Sequence, residues 1–407
     1  MITYNEVRNA PKLPYRRVYL DQSAYGRMLD DGHFDWRASP MGAVLAECQS
    51  KGIAQVWAGP TNIVETVQTS DADRRKALAS MLLDLIEAKR VWWGHEFEAV
   101  KEFFLFITYF APDAIWYREY FEHHGTVARQ TWLGALALTA ATDGSHLGPV
   151  VEFLMHTKAL NRLLHARFAL APGDWVDQMV AATQNLTTTT IDQLADLDKL
   201  SVAEITAEIE RLSRSIQKLD KRASAKLDRQ RDAIATAYGA IEISSLLRAV
   251  FTLPLELELT FNIPHIVNRW NHIQSKTGCQ SLPKEVRDAD EDSLIGNPQI
   301  TGVVVDHLIR AAARQPLMTT FLGFQVILRE MQRYMVDNRL PESGGLSFDA
   351  DHAAALTCHE VFVTRDEGLA NTLKAMANRI EKWTNGGFRP QVVMNARQLR
   401  QVLFQPI

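Results

Sequence analysis

The fold class this chain predicts is an α/β domain with a central, mostly parallel sheet, split in sequence by a large all-α insertion. Three observations predict it. Strand and helix patterns alternate through the first hundred residues, helical periodicity alone runs from about Phe97 to Asn338, and the alternation resumes after the linker-like stretch Leu340–Gly345. Alternating strands and helices are the pattern of parallel strands joined by crossover helices, whereas an unbroken helical run needs its own core. At 407 residues the chain is long enough for both bodies. Residues 1–110 and 339–407 are then the two halves of the α/β domain, and 111–338 the helical insertion.

Taken in order, Arg17–Asp21 is a buried strand ending in an acid, and Gln22–Met28 a helix. Leu45–Cys48 is helical, and Ile53–Trp57 is a second strand turned by Gly59-Pro60-Thr61. A helix beginning near Thr61 or Asn62 carries Glu65. In the helix Asp71–Ala88, Leu78, Met81, Leu82, Leu85 and Ile86 fall on one buried face. Arg90–Trp93 predicts a third short strand. Helical segments follow near 97–110, 129–141, 147–168, 201–250 and 300–336, with a loop from Lys276 to Pro298. From Ser201 onward, Ile205, Ile209, Leu212, Ile216, Leu219 and Ala223 alternate spacings of four and three, the seam of a packed helical hairpin. Phe348–Leu373 then reads as a short helix capped by Ser347 or Asp349, a tight return, the strand Val361–Val363, and a second helix loosened by Gly368. Gln391–Met394 is the last strand, and Asn395 caps the last helix.

Composition narrows the function classes. Hydrophobic residues at 46% and charged residues at 23% are ordinary for a globular protein, and a net charge of -4 offers no global basic field for nucleic acid. Cys48, Cys279 and Cys358 are distant and odd in number, which disfavours a disulfide framework or a zinc site and suits a reducing compartment. The N-terminal sequence lacks the apolar core of a signal peptide. The richest apolar stretch, Ile241–Phe261, is broken by Arg248, Pro254, Glu256 and Glu258, short of the ~18 residues that span a bilayer. A cytoplasmic protein without a membrane partner is the expectation.

Four acids carry the chemistry. Asp21 ends a strand, Glu65 lies in the first turns of the helix after another, Asp349 opens a helix and Asp366 sits just past a strand. Carboxylates at the carboxyl edge of an open α/β sheet are what a hard divalent ion needs. Each acid also has a plainer role, Asp349 as a helix cap and Asp366 as a turn residue. The motifs VYLDQS (18–23), PTNIVET (60–66), DADHAAAL (349–356) and FVTRDEGL (362–369) together resemble those of the PIN-like nuclease superfamily. The resemblance covers the two flanking halves and none of the helical middle. It implies a three-layer α/β/α fold in which Asp21, Glu65, Asp349 and Asp366 bind Mg²⁺ or Mn²⁺ and RNA is cleaved, with Thr364 orienting a carboxylate or water. The chemistry is sound without the name: divalent ions lower the pKa of water and offset charge on the leaving oxygen of a phosphodiester.

Other residues extend or compete with this reading. Asp351 is a fifth acid, but residues two apart on a helix face different ways, and the family register selects Asp349. His352 could meet a phosphate or packs under its helix, and Arg365 could meet a phosphate or a surface carboxylate. Cys358 and His359 lack a matching ligand pair, and His123 and His124 point apart on a helix. A basic helix from Arg211 to Arg231, including Arg214, Lys218 and Lys221, either draws in RNA backbone or is a solvated flank. Phosphate-loop, nucleophile-elbow and H-E-x-x-H motifs are lacking. The expected function is metal-dependent endoribonuclease, the insertion binding substrate or a protein partner. A catalytically silent scaffold and a nuclease of flaps or single-stranded DNA are the alternatives.

Overall fold

This computed structural model describes residues 13–86, 90–92, 94–111, 132–142, 262–313, 345–384 and 386–405, with Gln130, Thr319 and residues 322–323 and 325–326. The helices expected at 147–168 and 201–250, the seam from Ile205 to Ala223, His123, His124, and the basic residues Arg214, Lys218 and Lys221 lie outside the described residues. The chain divides into two compact units. One takes Asn9–Phe97, Glu122–Lys158 and Ser347–Ile407, and the other takes Met1–Arg8, Glu98–Phe121 and Ala159–Leu346.

The first unit is α/β. Its elements are β1 (Arg16–Leu20), α1 (Gln22–Asp31), α2 (Pro40–Ser50), β2 (Ala54–Trp57), α3 (Pro60–Val67) and α4 (Ala72–Leu85) from the first half of the sequence. The second half supplies α5 (Gly345–Ala354), β3 (Val361–Val363), α6 (Glu367–Trp383), β4 (Gln391–Val393) and α7 (Ala396–Leu403). The strands form one parallel sheet in the order β2-β1-β3-β4, so the halves of the sequence join where β1 lies against β3. Parallel strands are covered on both faces and therefore read as unbroken apolar runs. Val18-Tyr19-Leu20 and Val361-Phe362-Val363 are such runs, fully buried.

Because successive side chains alternate across a strand, the two faces differ. Val18, Leu20, Val56, Val361 and Val363 share an aliphatic core with Tyr25, Met28 and Leu29 of α1, Leu45 of α2, Leu82 of α4 and Leu399 of α7. Tyr19 pairs in register with Trp57 on one side and Phe362 on the other, giving the opposite face an aromatic character. Leu136, from a helical stretch that the sequence places in the insertion, is also buried in the aliphatic core, with Trp132, Leu133 and Ala140 packed against it.

Two local expectations are corrected. The strand expected at Arg90–Trp93 is, among the described residues, a single parallel bridge of Val91 with Ala58, and Gly94 at φ 94° turns the chain out of extended conformation. Neither Ser347 nor Asp349 caps α5, which already begins at Gly345, so both residues are inside the helix. Asn395 does cap α7, its side chain accepting from the Gln398 amide.

At the amino edge of the sheet, Glu360 ties the halves together. Its carboxylate accepts from the Arg17 backbone amide at 2.7 Å and from the Arg17 guanidinium at 2.6 Å. Burial opposes the charge on Glu360, but Arg17 prevails and holds the carboxyl below its ordinary range. Such a group stabilises the fold at neutral pH, and the stabilisation is lost as pH falls through its lowered pKa. Glu360→Gln is expected to cost about 1–3 kcal/mol at pH 7 and much less in acid, as read by denaturant unfolding at the two pH values.

The second unit, where described, is helical. It includes most of His95–Phe110, then Trp270–Thr277, Lys284–Arg287, Glu291–Leu294 and Pro298–Ala313. The stretch expected to be a plain loop from Lys276 to Pro298 thus holds two short helices. Trp270 is buried and donates its indole N–H to the Gln280 carbonyl at 3.0 Å, and Gly278, at φ 68°, ends the helix before it. The three cysteines are buried and none is in a disulfide, and among the described residues no helix is long and apolar enough to cross a membrane.

Candidate metal centre

Parallel strands end on a common edge. The chain leaves β1 for β2 on one side, while β3 lies on the other, so the crevice between β1 and β3 is the switch point of the sheet, where open α/β folds place ligands. Asp21 is the residue after β1, and its backbone amide bonds to the Val363 carbonyl at 3.0 Å. Its buried carboxylate caps α1 by accepting from the Ala24 amide at 2.9 Å. Thr364, the residue after β3, donates its hydroxyl to Asp21 Oδ2 at 2.5 Å and accepts from the Asp366 amide at 3.0 Å. One hydroxyl therefore couples acids from the two ends of the sequence. Asp366 in turn caps α6, its Oδ1 accepting from the Leu369 amide at 2.7 Å.

Glu65 is placed from below by Asn62. That buried side chain donates to the Leu20 carbonyl at 2.9 Å and accepts from the Gly59 amide at 2.8 Å, pinning the start of α3 to the end of β1. Three residues on, Glu65 Oε2 lies 2.8 Å from His352 Nε2 of α5. Asp349 stands almost one helical turn before His352. Burial raises the Asp349 carboxyl to about 7; His352 acts against this, while Asp366, Glu65 and Asp21 add to it. The three acids therefore lie within electrostatic range of Asp349. Burial also raises the Asp21 carboxyl, although His352, Thr364, Ala24 and Ser23 all stabilise its charge.

Thr364 thus links Asp21 and Asp366 at one edge, and Asp349 lies within electrostatic range of Asp366, Glu65 and Asp21. Asp351 is buried and accepts from Thr61 Oγ1 at 3.4 Å. Arg365 is exposed beside Asp366, its guanidinium donating to the Met394 carbonyl at 2.7 Å. His352, read as either a phosphate contact or a residue packed under its helix, is 1% exposed with both ring nitrogens engaged by protein, and so stands behind Glu65. His359 is buried among Tyr19, Trp57 and Trp92, with Nδ1 2.8 Å from the Ala355 carbonyl oxygen.

Three contributors escape sequence reasoning. Ser23 Oγ donates to both Asp21 oxygens, at 2.8 and 2.9 Å, and accepts from the Arg365 amide at 2.8 Å. The Asp-x-Ser spacing at a helix start is a legible sign of such a turn. Asn62 reads in the sequence only as a place for a helix to begin. Tyr19 reads only as strand core, yet its hydroxyl lies 2.8 Å from His352 Nδ1.

As these side chains stand, no three His, Cys, Asp or Glu groups among the described residues are close enough together to enclose an ion. Glu65 is held by His352, Asp21 by Thr364 and Ser23, and Asp366 by its own helix. The donor chemistry nevertheless suits a hard divalent ion, since the gathered ligands are carboxylates without a thiolate. Comparison with protein-family models, curated proteins and solved structures finds no match to this chain.

Proposed function

We propose that the chain is a metal-dependent, PIN-like endoribonuclease that hydrolyses RNA phosphodiester bonds at the carboxyl edge of its sheet. The finer fold assignment, a three-layer α/β/α domain of PIN-like type, belongs to the same proposal. The observation that carries it is that Asp349, whose carboxyl burial raises to about 7, also feels the charges of Asp366, Glu65 and Asp21 from both ends of the sequence. Crowded carboxylates repel one another unless a cation offsets them. Asp21, Glu65, Asp349 and Asp366 would hold Mg²⁺ or Mn²⁺. Such an ion supplies Lewis acidity, lowering the pKa of water and offsetting charge on the leaving oxygen.

The protein's own residues prepare the site. Thr364 and Ser23 fix Asp21, and the α1 cap keeps it in place. Asn62 sets the height of α3, and with it Glu65. Arg365, exposed at the rim, is the candidate contact for a phosphate of the substrate. Arg214, Lys218 and Lys221 are proposed to draw RNA backbone toward the edge, and the helical unit to take substrate or a protein partner.

The test is a side-by-side digestion of single-stranded RNA and DNA of one sequence by the full chain, with Mn²⁺, with Mg²⁺ and with EDTA. RNA cleavage that needs the ion is the expected result. Preferential cleavage of DNA would replace the substrate assignment. Nucleic acid left intact under every metal would leave a scaffold.

A further inference from the structure

We infer that Tyr19 and His352 form a positioning pair for Glu65, a buried hydrogen-bonded chain that holds its carboxylate at the edge where the other three acids meet. The inference rests on the reading of those acids as ligands of a divalent ion. Neither residue touches the reacting atoms.

The geometry is a line of three groups. The Tyr19 hydroxyl is 2.8 Å from His352 Nδ1, and His352 Nε2 is 2.8 Å from Glu65 Oε2. A carboxylate facing Nε2 can only accept, so the proton belongs on Nε2. In the neutral ring Nδ1 is then the acceptor for the tyrosine O–H; in the charged ring Nδ1–H donates to the tyrosine oxygen instead. Both charge states keep Nε2–H on Glu65, so the clamp holds across the titration of the imidazole.

Tyr19 is itself immobilised. It is fully buried, its ring centroid 5.8 Å from Trp92, 5.5 Å from Phe362 and 5.2 Å from His359. The backbone leaves it room only through Gly59. A Cβ at that position would stand 3.2 Å from the tyrosine oxygen and 2.8 Å from Trp92 Cε3. An apolar side chain at 352 would fill this aromatic face without a polar chain to satisfy. The one partly exposed member is Glu65, at 19%, and it is the only one of the three that can present a free end to an ion. Outer partners that orient a metal's ligands typically carry 10–100-fold in metal affinity.

The test is Mn²⁺ binding to the full chain, read from the EPR signal of unbound Mn²⁺, for the wild type, His352→Ala, His352→Gln, Tyr19→Phe and Glu65→Gln. His352→Ala is expected to weaken binding roughly 10–100-fold. His352→Gln, which keeps an N–H for Glu65, recovers most of the loss, and Tyr19→Phe falls between. The His352 ring nitrogen resonances of Tyr19→Phe shift at Nδ1, a signature that lost packing alone does not give. If His352→Ala fails to fold, Tyr19→Phe, which deletes one oxygen from a packed ring, carries the comparison. A wild type that binds no Mn²⁺ removes the metal reading and this inference with it. A wild type that binds, alongside His352→Ala and Tyr19→Phe that bind equally or more tightly, overturns the positioning pair alone. Unchanged binding by Glu65→Gln would do the same.

Discussion

Asp21→Asn and Asp366→Asn are each expected to lower Mn²⁺-dependent RNA cleavage on the order of 1,000-fold while leaving the fold intact. The size follows from the several kcal/mol of charge stabilisation a catalytic ion contributes, at about 1.4 kcal/mol per decade of rate. The fold survives because both residues are helix caps, Asp21 for α1 and Asp366 for α6, and asparagine caps as well as aspartate. In Asp21→Asn the side-chain oxygen would still accept from the Ala24 amide, while the amide nitrogen, standing where Oδ2 was, would donate to Thr364 Oγ1. Its loss of charge relieves a buried group whose pKa is raised by that burial. Single-turnover cleavage alongside thermal unfolding separates the two effects. Full activity in both variants removes the four acids from the reaction.

Asp349→Asn should divide along the same line, with an additional dependence on pH. The folded protein holds the Asp349 carboxyl at about 7 against an ordinary 3.8, so the folded state binds the proton more tightly than the unfolded chain. The charge at Asp349 therefore costs nothing below about pH 4, and the cost grows as pH rises to about 7, then levels off. At about 1.4 kcal/mol per unit, the cost at pH 8 is at most about 4 kcal/mol. Asp349→Asn is thus expected to steady the ion-free protein at pH 8 and to change little at pH 4. Ion binding by the wild type should strengthen as pH rises from about 6 to 8, because Asp349 must give up its proton to serve as a ligand. Equal stability of the variant and wild type at both pH values would mean that burial and the neighbouring acids do not penalise the Asp349 charge.

Much of the site is legible in the sequence because its signals are local. Asp21 follows an apolar run, Asp366 follows a second one, and each precedes helix-forming residues, so both fall at a strand's carboxyl end and a helix's start. Helical spacing separates Asp349 from Asp351, and Asp351 accepts from Thr61. What is not legible depends on register between distant segments. Nothing around Tyr19 says that its ring faces the side of the sheet reached by His352, because that follows from β1 pairing with β3 and from where α5 lands. For the same reason the sequence leaves His352 between a phosphate contact and a place under its helix, and does not show that it is a partner of Glu65. The glycines at 344 and 345 read as linker, which hides the true start of α5, and Gly94 cuts short the strand expected at Arg90–Trp93.

The central claim is that acids from opposite ends of the chain share one cation. The most direct measurement is a crystal of the full chain soaked in Mn²⁺, with the ion located by its anomalous scattering. The account predicts a peak bounded by Asp21, Glu65, Asp349 and Asp366 at the β1–β3 crevice. A Mn²⁺ peak bound elsewhere, with those four carboxylates untouched, would contradict it.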